Sequence, residues 1–149
     1  MKDFYMKEAL KEAYKAIDLK EIPVGAIIVK HNIIIARTHN LKESLKDAAA
    51  HAEILAIKEA SKVLNNWRLK DCEMYVTLEP CPMCASAIAQ ARVSKLYIGT
   101  FDPTSGGCGS VIDVLGHAHL NYKVSVEWMY DEECSYILKN FFTNRRRQI

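Results

Sequence analysis

Between residues 3 and 19 apolar side chains recur at helical spacing, as Phe4, Met6, Ala9, Leu10, Ala13 and Ile17, with lysines and glutamates between them. Such a stripe predicts an amphipathic helix. After Pro23 the period changes. Val24-Gly25-Ala26-Ile27-Ile28-Val29 is continuously apolar, short and rich in β-branched residues, and Ile33-Ile34-Ile35-Ala36-Arg37 repeats that character. His31-Asn32 between them suits a tight turn, so the pair reads as a hairpin. Helix formers return from 48 to about 63, with Asp47 a candidate N-cap. Residues 72–78 alternate as a strand that stops at Glu79-Pro80. A helix then opens around Cys81-Pro82, where proline suits the first turn, and runs through Ala91. A strand over 93–98, a glycine-rich loop over 102–109, a strand over 124–129 and a helix over 132–142 complete the pattern. Strands alternating with helices after an opening hairpin predict an α/β sheet covered on both faces, in one domain spanning 1–149.

Composition narrows this picture. With 50% apolar and 26% charged residues the chain has the balance of a soluble globular protein. No apolar run reaches the ~18–20 residues that span a bilayer. The segment Met1-Lys2-Asp3-Phe4-Tyr5-Met6-Lys7-Glu8 mixes both charge signs and lacks an apolar core. The expectation is therefore no secretory signal, no membrane partner and a cytoplasmic location. Cysteines number five (Cys72, Cys81, Cys84, Cys108 and Cys134), an odd count that points to metal ligation plus buried thiols rather than a disulfide framework. The net charge of +2 is too small to declare a nucleic-acid partner. Its distribution says more, because Arg145-Arg146-Arg147 cluster beyond Lys139 as either a solvated helix end or a phosphate-contacting tail.

Two short segments carry chemistry. One is His51-Ala52-Glu53 at the start of a helix; the other is Pro80-Cys81-Pro82-Met83-Cys84, where a strand hands over to a helix. A Cys-x-x-Cys pair at a helix start turns both sulfurs toward one point, and the helix N-terminus favours thiolates. His51, Cys81 and Cys84 then form a three-ligand set for one Zn²⁺, with a fourth position left for water, which is the catalytic arrangement. Zinc brings the pKa of such a water toward ~7. Glu53, beside that water without ligating the metal, is placed to move its proton, as hydrolytic deamination requires. A structural zinc would need a fourth protein ligand, for which His117-Ala118-His119 is the tempting source, but no second Cys-x-x-Cys accompanies it. A redox pair would leave Glu53 without a role. His31, His39, His117 and His119 read as surface or loop histidines, and Cys72, Cys108 and Cys134 as packing residues or inert thiols. Gly106-Gly107-Cys108-Gly109 lacks the spacing of a phosphate loop.

The paired His-x-Glu and Pro-Cys-x-x-Cys pattern resembles the cytidine deaminase superfamily. From about Tyr5 to Arg147 the chain resembles one branch of it, the bacterial tRNA-specific adenosine deaminases, which convert the wobble adenosine of an anticodon to inosine. The similarity is carried by Pro23-Val24-Gly25-Ala26, Asn40, Asn66-Trp67-Arg68-Leu69, Thr77-Leu78-Glu79-Pro80, Gly106-Gly107 with Gly109-Ser110, Asp113-Val114-Leu115 and Phe141-Phe142 before the three arginines. The resemblance implies a three-layer α/β/α cytidine-deaminase-like fold with a five-stranded mixed sheet, and a homodimer. It implies that Asn40 contacts a flipped nucleoside, and that Val24 and Ala52 line its base pocket. It further implies that Leu78, Asp102, Phe142, Arg145 and Arg146 hold a tRNA anticodon stem-loop. Asp47-Ala48-Ala49-Ala50 departs from the Asp-Pro-Thr-Ala common in that branch. Pro82 is also common in guanine deaminases, so a guanine or cytosine (free base or nucleoside) deaminase stands as the alternative, with a non-enzymatic zinc-stabilised module behind it.

Overall fold

A computed structural model describes residues 1–117 and 121–147; His119 lies outside the described residues. The opening helix is α1 (Lys2–Asp18), and its buried stripe is Tyr5, Met6, Ala9, Leu10, Ala13 and Ala16. Phe4, expected on that stripe, is 52% exposed. The hairpin forms as β1 (Gly25–Lys30) and β2 (Ile33–His39). His31 and Asn32 both take positive φ, 49° and 63°, as a two-residue turn matching strand twist requires.

Three further strands, β3 (Cys72–Leu78), β4 (Lys95–Thr100) and β5 (Ser125–Trp128), complete one sheet of order β2-β1-β3-β4-β5. β1 is antiparallel to both neighbours, whereas β3, β4 and β5 run parallel. The five-stranded mixed sheet is thus as expected. Between β2 and β3 lie α2 (Lys42–Leu45) and α3 (Ala52–Leu64), between β3 and β4 lies α4 (Pro82–Gln90), and α5 (Glu132–Arg147) ends the fold.

Alternation along each strand splits the core in two. Ala26, Ile28, Met74, Val76, Leu96 and Ile98 face α3 and α4, while Ile27, Val29, Tyr75 and Tyr97 face α1 and α5. Burial on both faces explains why β1 reads as a continuous apolar run. Among the described residues no helix is long and apolar enough to cross a membrane.

Two expectations need correction. The helix predicted from residue 48 begins at Ala52, and Asp47 does not cap it: its carboxylate accepts the Ala49 N–H at 2.9 Å and its carbonyl the Ala50 N–H at 3.0 Å, closing a turn. The alanines permit helix, but the Ala50 carbonyl is taken by the Leu41 N–H at 3.1 Å, and tertiary pairing overrides propensity. The last helix runs past 142 to Arg147, so the basic cluster is helical.

Gly25 sets how closely α1 can lie on the sheet. A Cβ there would come within 2.0 Å of the Ala9 carbonyl oxygen and 2.6 Å of the Ala13 nitrogen, both backbone atoms of α1. Gly25→Ala should therefore destabilise the protein by about 1–3 kcal/mol, lowering the thermal midpoint by several degrees. An unchanged melting curve would show that α1 yields freely.

Candidate active site

Both α3 and α4 begin at the edge of the sheet where β3 and β4 end. His51 is the N-cap of α3 and Cys81 the N-cap of α4, and neither makes a side-chain capping hydrogen bond. They turn toward each other instead. His51 Nδ1 lies 3.7 Å from Cys81 Sγ and 3.5 Å from Cys84 Sγ. The three donor atoms gather within 4.8 Å of one another, the group of this kind found among the described residues. One imidazole nitrogen and two sulfurs at that spacing fit a divalent metal, and no fourth donor among the described residues joins them. The Cys84 hydrogen bond, with help from His51, pulls the Cys81 thiol down to about 4. The same hydrogen bond, together with burial, pushes Cys84 up, and bonding to Cys81 raises His51. Cys81 is therefore the ready thiolate, and a cation among the three would displace the remaining proton.

Glu53 sits in the first turn of α3, 4% exposed, beside this trio and not within it. Burial pushes its carboxyl up to about 7, against the opposing pull of its own backbone N–H and of His51. A carboxyl poised near neutrality can both take and give a proton.

A cavity of about 200 Å³ opens over these groups, lined by His51, Ala52, Glu53 and Cys81 together with Val24, Asn40, Leu78 and Asp102. All the residues expected around the base thus meet there. Asn40 also works as a turn residue, its Oδ1 accepting the Lys42 N–H at 3.1 Å. Asp102 also caps its loop, accepting from Thr104 and Ser105. Beside this cavity lies a larger groove of about 770 Å³, which shares Ile22, Leu78, Asp102 and Ser105 with it and adds Phe142 and Arg146. Arg145 does not line the groove; its guanidinium lies 6.0 Å from the Phe141 ring on another side of α5. Cys72, Cys108 and Cys134 are buried, each thiol raised by burial.

Several residues that shape the site carry no motif. Glu79, 2% exposed, accepts the N–H groups of Asp102, Cys108 and Ser110 and the Ser110 hydroxyl, tying the 102–110 loop to the turn that carries Cys81. Gly106 must be glycine because a Cβ would strike that carboxylate. Glu21, 1% exposed, accepts the Glu43 N–H at 3.0 Å and both the N–H and hydroxyl of Ser44 at 2.6 Å. Ile22, Lys42 and Ser105 complete the cavity wall. Burial of a glutamate is invisible to periodicity, because its partners lie about twenty residues or more away.

The mixed sheet, and a His-x-Glu helix start facing a Cys-x-x-Cys helix start, define an enzyme of the α/β/α deaminase class. The chain belongs to the MafB19-like deaminase family, whose model matches residues 1–146. It is 46% identical over 147 residues to the tRNA-specific adenosine deaminase of Bacillus subtilis (strain 168), covering 98% of this chain and 91% of that protein. A solved structure from work on A-to-I editing by tRNA:A34 deaminases at the wobble position of transfer RNA is 38% identical, with a TM-score of 0.88, and covers 91% of this chain and 99% of its own. The guanine deaminase structure from Bacillus subtilis is 39% identical with a TM-score of 0.64, covering 66% of this chain and 64% of its own.

Cys81→Ser and Cys84→Ser should each lose bound metal and lower the thermal midpoint, because metal affinity is coupled to folding. Full metal occupancy by elemental analysis in either variant would remove that residue from the site. A second expectation concerns acid. Burial alone would raise the Glu21 carboxyl, but the Ser44 hydroxyl and the Glu43 and Ser44 N–H groups outweigh it and hold it below its usual 4.5. Glu21 therefore stabilises the fold above that pH, and the contribution is lost as pH falls through the folded value. Urea midpoints of Glu21→Gln and the unaltered protein should differ at neutral pH and converge as pH is lowered from 4.5 through the folded value. Parallel pH profiles would contradict this.

Proposed function

We propose that this protein is a zinc-dependent hydrolase that deaminates the wobble adenosine of a tRNA anticodon to inosine, working as a cytoplasmic homodimer. The observation that carries the reading is the junction of two spaces: the cavity over His51, Cys81, Cys84 and Glu53 shares four wall residues with a groove bearing Phe142, Arg146 and Lys139. A free base needs only the inner space. A nucleotide in a chain needs both, with its base inside and its neighbours along aromatic and basic surface. The relatives bearing the tRNA deaminase name cover nearly the whole chain, groove included, which supports this reading over the guanine alternative.

In the reaction adenosine and water become inosine and ammonia. His51, Cys81 and Cys84 would hold zinc, which when bound supplies a water acidic enough to react at neutral pH. Glu53 manages the protons. Its carboxylate takes one from the attacking water and gives it to the ring nitrogen beside the amino-bearing carbon. It then carries a second proton to the departing amino group. The buried walls formed by Val24 and Ala52 keep bulk water off the base, and Asn40 orients the nucleoside.

Glu53→Gln should retain zinc and fold but lower turnover by about 10²–10⁴-fold. Loss of zinc in this variant would make Glu53 a ligand and overturn its assignment. The substrate is tested by offering purified enzyme unmodified tRNA, free adenosine, guanine and cytidine, with inosine located in tRNA by mass spectrometry. Inosine at the wobble position is expected; faster release of ammonia from guanine or cytidine would move the assignment to a free-base enzyme.

A further inference from the structure

Lys42 lines the inner cavity together with the acidic residues Glu53, Glu79 and Asp102. Those acids are occupied: Glu79 by four donors, Asp102 by Thr104 and Ser105, and Glu53 by the proton transfers. Among the described residues Lys42 makes no ion pair with any of them. Lys42 is partly buried on the cavity wall, and a lysine there with no acidic partner among the described residues is available to an anion. The base that enters this cavity is neutral; the anion it brings is its own backbone phosphate.

We propose that Lys42 binds a phosphate flanking the target nucleotide, and is the specificity-determining residue that favours a nucleotide within a chain over a free base or nucleoside. The inference rests on the RNA reading above. It is carried further by how the residue is held. A helix of four residues has no stability of its own, so α2 is kept in place from outside. The buried Glu21 carboxylate grips the Glu43 and Ser44 amides, and Asn40 bridges the Lys42 N–H at 3.1 Å to the Ile22 carbonyl at 3.4 Å. Backbone on both sides of Lys42 is thereby fixed to the cavity wall, while its side chain is left unpaired.

The test is a cycle of enzyme and substrate changes. Stem-loop RNAs carry a neutral methylphosphonate either just 5′ or just 3′ of the target adenosine, and each is assayed with the unaltered enzyme, Lys42→Gln and Lys42→Arg. Lys42→Gln should raise KM about tenfold with little change in kcat, and reduce the slope of log affinity against log salt by about 0.7. At one of the two linkages, the methylphosphonate should raise KM equally in the unaltered enzyme and have no further effect in Lys42→Gln, while Lys42→Arg restores the unaltered behaviour. Independent, multiplying effects at both linkages, or an unmoved KM, would overturn the assignment of Lys42 and leave the RNA reading standing. Failure of the unaltered enzyme to deaminate the unmodified stem-loop would instead overturn the RNA reading, and this inference with it.

Discussion

The structure depends on two helix starts arriving at one point. His51 and Cys81 lie thirty residues apart in sequence, yet their donor atoms come within 3.7 Å. Parallel pairing of β3 and β4 achieves this, because it forces the intervening helix to cross back over the sheet and start at the end where β3 stops. The first turn of α3 is pinned to the same edge by the Thr38 hydroxyl, which donates to the Ala52 carbonyl at 2.7 Å. With both N-termini directed at the trio, the positive ends of two helices favour the thiolate that a metal requires.

Three buried glutamates around the cavity then divide into two kinds. Glu21 accepts three hydrogen bonds and Glu79 four, and each ties a loop to the cavity wall. Glu53 is buried as deeply but receives little beyond its own N–H and the Cys84 thiol, so desolvation prevails and its carboxyl is lifted toward neutrality. Local donor supply thus separates carboxylates that hold structure from the one proposed to move protons.

Much of this was legible in the chain. Short β-branched runs, one alternating stretch and period-3.6 stripes mark the five strands and four longer helices, and the His-x-Glu and Pro-Cys-x-x-Cys spacings mark the residues that meet at the site. What escaped was set by distant partners. Residues 48–51 read as helix formers, yet the path into α3 depends on Leu41 pairing with Ala50 and on Glu21 holding α2. Glu21, Glu79 and Lys42 belong to no chemical pattern and gain their roles only from burial and neighbours. The three arginines read as one cluster, but helical phase sends Arg146 into the groove and Arg145 against Phe141.

The proposed chemistry needs an open metal centre, held by three side chains, with an acid–base carboxylate beside it. X-ray absorption at the zinc edge of the purified protein reads that ligand set. One zinc per chain is expected, with two sulfur ligands, one imidazole nitrogen and one light-atom ligand that exchanges with solvent or inhibitor. A shell closed by a fourth protein ligand, or a carboxylate oxygen that disappears in Glu53→Gln, would contradict it.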